Sequence, residues 1–344
     1  MAKPSVLDVA RTAGVGASTV SRVLNNHPNI SESARGRVLA AVEALGYTPN
    51  LNARSLRSGQ TQAISVLLPM TGTAFYDTLL GAVHRRLEAH DYDMALFPLL
   101  GAQRVRRFRD PSALLYRADA LLIASQDPQQ LYAGRPPFNK PVVLVDAHHP
   151  HYHSVYFDNL AAGRLAAEVA LSRRLPLVLL DVDDVPNELP SPVFAERRAG
   201  ILEVLGRQGI APARTLHTRA SLEGGRAAAQ HLLNERQLLA GPDQDETVRP
   251  VFVLALSDEM ALGVQRQLGE GGWQMGRDYL LLGFDGNEQA ARAGLSSVAQ
   301  PVAKMGEAAA EAILAALGGQ LSTLIEQSFA PSFVEGASTR LGRV

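Results

Sequence analysis

Gly14-Val15-Gly16 interrupts two short apolar repeats. Val6, Val9, Ala10 and Ala13 recur at helical spacing before it, and Val20, Val23 and Leu24 share one face after it. The second helix begins at Gly16 or Ala17 and carries Ser18, Ser21 and Arg22 on its surface. Of these, Arg22 has the most specific chemistry, because a guanidinium can donate two hydrogen bonds to O6 and N7 of guanine. Ser18 pairs with bases ambiguously, and Ala17 offers only a methyl contact. Thr19, Ser21 and Asn25 are short polar side chains suited to positioning on phosphates, and Asn25 serves equally well as a helix C-cap.

Two short helices joined by a glycine turn make a helix-turn-helix, whose second helix lies in a DNA major groove. A third helix is expected from Ser31 or Glu32 to Leu45. Ser31-Glu32-Ser33-Ala34 caps it, Val38, Leu39, Val42 and Leu45 form its apolar stripe, and Gly46 stops it. Residues 1–60 carry a net charge of +4 and the rest of the chain −5, within an overall charge of −1. A small basic module joined to an acidic body fits a nucleic-acid-binding head on a separate sensor. The segment Pro49–Gln60 between them is short, basic and polar, so a two-turn helix there is marginal in isolation.

Wording carries further than geometry. Leu7-Asp8-Val9-Ala10, Ala13-Gly14-Val15, Ser18-Thr19-Val20-Ser21-Arg22-Val23-Leu24-Asn25 and Ala44-Leu45-Gly46-Tyr47-Thr48-Pro49-Asn50 resemble the LacI/GalR headpiece almost word for word. The resemblance implies a dimer whose recognition helices read the half-sites of a roughly palindromic operator in double-stranded DNA. It places Ala17, Ser18 and Arg22 at the base-reading positions. It also implies that 49–60 folds on DNA and pairs with its twin, with Leu56 as the minor-groove wedge and Ala53 and Arg54 beside it.

From residue 61 onward, strand-like runs alternate with helical ones. Strands are expected at Ala63–Leu68, Met94–Pro98, Ala120–Ala124, Val142–Val145, Leu177–Asp181, Val251–Ala255 and Leu280–Gly283. Helices are expected at Thr78–His90, Leu160–Leu171, Ala195–Gln208, Gly225–Leu233, Glu259–Leu268 and Met305–Leu317. The fold class is therefore α/β: a three-helix helix-turn-helix headpiece (1–48), a hinge (49–60), and a body with parallel sheets (61–344). The resemblance continues through Asp158-Asn159, Gly163, Arg197 with Gly200, Ser257-Asp258-Glu259-Met260-Ala261-Leu262-Gly263, Gly283-Phe284-Asp285, Gln300-Pro301 and Met305-Gly306. It implies two lobes like those of periplasmic sugar-binding proteins, closing over an effector between strand ends.

For that effector the resemblance points to Arg197 and Asp285, a guanidinium and a carboxylate able to bracket adjacent ring hydroxyls. Asp146 and Ser257 add polar contacts, and Phe75 and Tyr76 lie against the ligand ring. Arg219 and Ala220 fall near another such position. The chain departs from the family at the arginine-rich Leu100–Tyr116, at Ser172–Pro176, which lacks the usual Gly-His turn, and at Glu335, where an arginine often stands.

Other chemistries find no support. There is no cysteine, no Gly-x-Ser-x-Gly elbow, no Walker A and no Gly-x-Gly-x-x-Gly after a strand, so neither an enzyme nor a cofactor is expected. His148-His149-Pro150-His151-Tyr152-His153 matches no zinc spacing and reads as an exposed loop. No signal peptide or bilayer-length apolar run is apparent, which points to the cytoplasm and away from a membrane. Five residues follow Ser338-Thr339, too few for leucine heptads, so a dimer is expected. The function implied is a repressor released by a small sugar. The alternative is a regulator of the same fold whose corepressor, a purine or a phosphocarrier protein, strengthens DNA binding. A transport protein would share the body but not the headpiece.

Overall fold

The computed structural model describes residues 4–24, 27–48, 60–99, 101–132, 136–183, 189, 191–239 and 250–342. Two units result, Met1–Thr61 and Gln62–Val344.

In the first unit, α1 (Val6–Ala13), α2 (Ala17–Leu24) and α3 (Glu32–Leu45) close on a small core of Val9, Ala10, Ala13, Val20, Val23, Val38 and Ala41. A reciprocal cap starts α1. The Ser5 hydroxyl accepts from the Asp8 amide, and the Ser5 amide donates to the Asp8 carboxylate at 3.0 Å. Gly14 ends α1 at φ 61°, a conformation that glycine reaches without a Cβ penalty. The expected stripe on α3 is shifted by one position. Leu39 is exposed and Ala41 takes its place, because the inward face follows Val38, Ala41, Val42 and Leu45.

The second unit holds two six-stranded sheets. Lobe 1 orders its strands β11-β5-β4-β3-β1-β2 and is wholly parallel: β1 Ala63–Leu68, β2 Asp93–Pro98, β3 Ala120–Ala124, β4 Val142–Val145, β5 His153–Phe157 and β11 Glu326–Phe329. Lobe 2 orders them β12-β10-β9-β8-β6-β7, with β6 Leu177–Val182, β7 Arg214–Thr218, β8 Val251–Ala255, β9 Tyr279–Asp285, β10 Ser296–Ala299 and an antiparallel β12 Ser332–Val334. The chain passes between lobes three times: after β5, after β10 and between β11 and β12.

The helices of the body are α4 Ala74–Glu88, α5 Ala102–Phe108, α6 Pro128–Tyr132, α7 Asn159–Ser172, α8 Pro192–Arg207, α9 Leu222–Leu239, α10 Asp258–Glu270, α11 Glu288–Arg292 and α12 Val302–Leu317. Among the described residues, no helix is long and apolar enough to cross a membrane.

All seven expected strands are present. Of the five others, β7, β11 and β12 are largely exposed, β5 opens on His153-Ser154 and leaves only three apolar residues, and β10 begins with two buried serines. Their serine hydroxyls are satisfied, Ser297 by Asp258 at 2.8 Å and Ser296 by Thr339 at 2.8 Å. Helix starts lie earlier than the apolar periodicity suggests, and at α4, α7 and α10 a capping side chain sets them. Thr73 accepts from the Tyr76 amide and begins α4 at Ala74, so Phe75 and Tyr76 belong to a first helical turn rather than a loop. The arginine-rich segment forms the short α5 and a turn of 3-10 helix at Leu114–Arg117. Val105, Phe108, Ala113 and Leu115 pack there with Leu131 and Tyr132.

Two glycines pin α7 against α8. A Cβ on Gly163 would stand 2.1 Å from the Arg197 carbonyl oxygen, and one on Gly200 would stand 2.1 Å from that of Leu160. Backbone faces backbone at this crossing, so nothing can yield without moving a helix. Gly163→Ala should therefore lower unfolding free energy by about 1–3 kcal/mol, the cost of overpacking. Urea denaturation of the full chain measures it; a change of only about 0.5 kcal/mol, ordinary for an unconstrained surface site, would contradict the close approach.

Candidate functional site

In the headpiece, Ser18 and Arg22 are four residues apart on the exposed face of α2, with Ser21 and Ala17 half-buried beside them. Thr19 is half-buried as well. Arg22 makes no ion pair or side-chain hydrogen bond among the described residues, so its fork is available to an outside acceptor. Asn25, Ala53, Arg54 and Leu56 lie outside the described residues.

In the body, a cavity of about 620 Å³ opens between the lobes, within the range of roughly 300–1,000 Å³ common for small-molecule sites. Phe75, Tyr76, Asp146, Arg197, Ser257 and Asp285 all line it. Lobe 1 contributes the start of α4 and the turns after β3 and β4; lobe 2 contributes the starts of α8 and α10 and the ends of β9 and β10. Three lining residues hold left-handed backbone: Ser125 at φ 52°, Asp146 at 54° and Asp285 at 107°. Such strain gathers where surrounding structure fixes a side chain for use.

Arg197 is 2% exposed and spends its guanidinium inside the protein. Nε donates to Asn159 Oδ1 at 2.9 Å, one terminal nitrogen to the Leu256 carbonyl at 2.7 Å, and the other to Asp285 Oδ1 at 3.1 Å. The plane also lies over Phe284, 4.8 Å from the ring centre, with Phe194 at 5.9 Å. Arg197 and Asp285 thus bind each other. Gln300 adds a 2.7 Å donation to the same Asp285 oxygen, while its own carbonyl oxygen finds no partner. Ser257 caps α10 by accepting from the Met260 amide. Phe75 and Tyr76 meet edge to face at 4.9 Å.

Asp146 lies across the cleft from that ion pair. Ser125 donates to its Oδ2 at 2.6 Å, and its Oδ1 has no partner. Burial pushes this carboxyl up to about 7, against the pull of Ser125 and Arg197. Burial likewise raises Asp285, opposed by Arg197, and raises Asp258 to about 8 with Asp285 adding to the effect. Glu259 is raised by burial and by Asp285, and its Oε1 accepts from the Ala74 amide at 3.1 Å, a bond that joins the two lobes. Tyr76 is held neutral by burial and by Asp146. One buried guanidinium serves several carboxylates here.

Ser125, Gln126, Asn159, Glu259 and Gln300 belong to this site although only the geometry shows it. The motif strings already contained Asn159, Glu259 and Gln300, as marks of the fold rather than as contacts. Ser125 and Gln126 had no such signal. The histidine cluster is not simply a loop: His153 begins β5 and accepts from the Ile325 amide at 3.0 Å, and His148 lies 3.3 Å from Glu326. No group of three metal-ligating side chains occurs among the described residues.

A carboxyl raised from 3.8 to about 7 binds a proton in the folded chain where the unfolded chain has lost it. Stability should fall as pH rises between those values and stay reduced above the upper one. Asp146→Asn, which keeps the Ser125 bond without the charge, should raise the melting temperature clearly more at pH 8 than near pH 5, where only part of the penalty has built up. A gain equal at both pH values would show that Asp146 is not the group involved.

Comparison with known proteins agrees with both halves of the chain. Residues 5–50 match the model for bacterial regulatory proteins of the lacI family, and residues 185–339 match that of the periplasmic binding protein-like domain. The ribose operon repressor of Escherichia coli (strain K12) is 29% identical over 319 residues, covering 89% of this chain and 91% of that one. The HTH-type transcriptional regulator GalS of Salmonella typhimurium is 28% identical over 346 residues, covering 96% and 95%. Among solved structures, a probable transcription regulator from Thermus thermophilus is 40% identical, with a TM-score of 0.65 over 80% of this chain and 97% of that one. A lac repressor dimer bound to operator and the anti-inducer ONPF shares the fold at 24% identity, with a TM-score of 0.76 over 98% and 100%. The chain belongs to the lacI family of bacterial regulatory proteins, DNA-binding regulators of transcription rather than enzymes.

Proposed function

We propose that this regulator represses transcription by binding a roughly palindromic operator as a dimer in the cytoplasm, and that it releases the operator when a small sugar-type effector occupies the cleft. The observation that carries the reading is the cavity itself, where Asp146 of lobe 1 faces the Arg197–Asp285 pair of lobe 2. A ligand that bonds both sides draws the lobes together, and three chain crossings transmit the change. In this reading Phe75, Tyr76, Asp146, Arg197, Ser257 and Asp285 hold the effector, with Asn159 and Gln300 orienting the ion pair. Ala17, Ser18 and Arg22 read bases, Thr19, Ser21 and Asn25 contact phosphates, and Leu56 with Ala53 and Arg54 enters the minor groove. The names of two relatives fit a sugar: one is a ribose operon repressor, and a solved LacI family regulator from Enterococcus faecium carries bound ribose.

The corepressor reading is set beside two further relatives, the HTH-type transcriptional repressor PurR of Photorhabdus laumondii and catabolite control protein A of Priestia megaterium.

Fluorescence anisotropy on an operator selected from random duplexes tests this directly. Titrating neutral sugars should weaken operator binding for at least one of them; tightening by a purine, with no response to any sugar, would favour the corepressor mode instead. On the same operator, Arg22→Ala should cost about 1–3 kcal/mol, concentrated at one base pair. A loss spread evenly over all sequences would make Arg22 a phosphate contact.

A further inference from the structure

Resting on the effector reading above, we infer that the effector carries an ammonium group as well as hydroxyls, an amine-bearing sugar whose nitrogen binds Asp146.

The one buried cation lining the cleft among the described residues is Arg197, and its hydrogen bonds are spent within the protein. Asp146 is 3% exposed and its Oδ1 has no partner; Gln300 is 7% exposed and its Oε1 has none either. Two buried, unpartnered acceptors in one cavity call for a ligand that brings donors, since an unsatisfied buried acceptor is costly. Hydroxyls would satisfy both. They would not neutralise a carboxylate, and the protein's own cations do not do so. The three nitrogens of Arg197 are committed to Asn159, Leu256 and Asp285. Arg198 is held by Asp181 at 3.0 Å, and Arg219 is exposed.

A second cavity, about 440 Å³, abuts the first on the side of the crossing from β5 to α7, and Asp146, Val193 and Ala195 line both. Its polar lining adds Asp158 and Glu196, with His148 as the one titratable cation, and His148 is paired with Glu326. Asp146 is therefore bordered by Asp285 on one side and Glu196 on the other. Its remaining charged or titratable neighbours are Arg197 and the neutral Tyr76. Asp146, Asp285 and Glu196 are all held above the ordinary carboxylate range, burial first, as expected where acids outnumber bases. An ammonium at Asp146 supplies a charge-assisted hydrogen bond to the free oxygen and the missing positive charge together. Hydroxyls on the same ring remain for Gln300.

Isothermal titration of the full chain near pH 7 with glucose and glucosamine, galactose and galactosamine, and mannose and mannosamine isolates the amine, each pair differing in one group. At least one amino sugar should bind about tenfold or more tightly than its hydroxyl parent. Asp146→Asn should abolish that preference, so that the amino sugar and its parent bind alike. The exposed Glu196→Gln should shrink it. Parents that bind as well as the amines, a preference that survives Asp146→Asn, or six silent titrations would overturn the inference. Operator binding read alongside separates the two proposals. An amine preference with no effect on operator binding leaves this one standing and removes induction, whereas a neutral sugar that releases operator does the reverse.

Discussion

Arg197 and Asp285 form a buried ion pair on which the body's architecture converges. The guanidinium ties the start of α7 through Asn159, the end of β8 through Leu256 and the end of β9 through Asp285, and α8 carries it. Removing one member of such a pair leaves a buried charge at a cost of roughly 3–5 kcal/mol, so the pair persists only while every partner is in place. The glycine contact between α7 and α8 follows from the same requirement: Gly163 and Gly200 bring the helices close enough for Nε to reach Asn159. The spacing of Arg197 and Gly200 in sequence is thus one geometric device, with a polar arm and a close-packed fulcrum.

Much of this was legible in the sequence, for identifiable reasons. The strands β1, β3, β4 and β8 fall where expected because central parallel strands are buried on both faces and read as unbroken apolar runs. The edge strands β7 and β11 do not, since half-exposed polar residues such as those of Arg214–Thr218 carry no such mark. Arg197, Asp285 and Asp146 could be picked by resemblance, but their relation could not. Whether a guanidinium points to a ligand or to a neighbouring carboxylate depends on contacts 88 residues apart in the chain, which no local pattern encodes. The same limit hid Ser125, whose importance lies in one 2.6 Å bond.

Two departures from the family pattern explain each other. Arg173 in the altered Ser172–Pro176 turn donates to Glu335 at 3.2 Å, and Arg340 lies 3.5 Å from the same carboxylate. The two positions at which the sequence departs from the family resemblance therefore pair with each other. Both are partly exposed, so the pair contributes at most about 1 kcal/mol. It links the end of α7 to the residue after β12.

The balance of the cleft itself follows from where its hydrogen bonds run. Among the described residues, the Glu259 carboxylate, bonded to the Ala74 amide at the start of α4, is the one polar group of the cavity seen to bridge the lobes directly; Asp146 and the Arg197–Asp285 pair stay on opposite sides. A bond from a raised carboxylate to one amide is a weak clasp, and a two-state equilibrium shifts only by the difference in ligand affinity between its states. Asp146 is bonded within lobe 1, to Ser125, and its free oxygen belongs to neither lobe's internal network. A ligand that satisfies that oxygen and also reaches Gln300 on lobe 2 gains contacts available only when the lobes are close. The unsatisfied acceptors therefore do more than select a ligand. They make its binding free energy depend on the distance between the lobes.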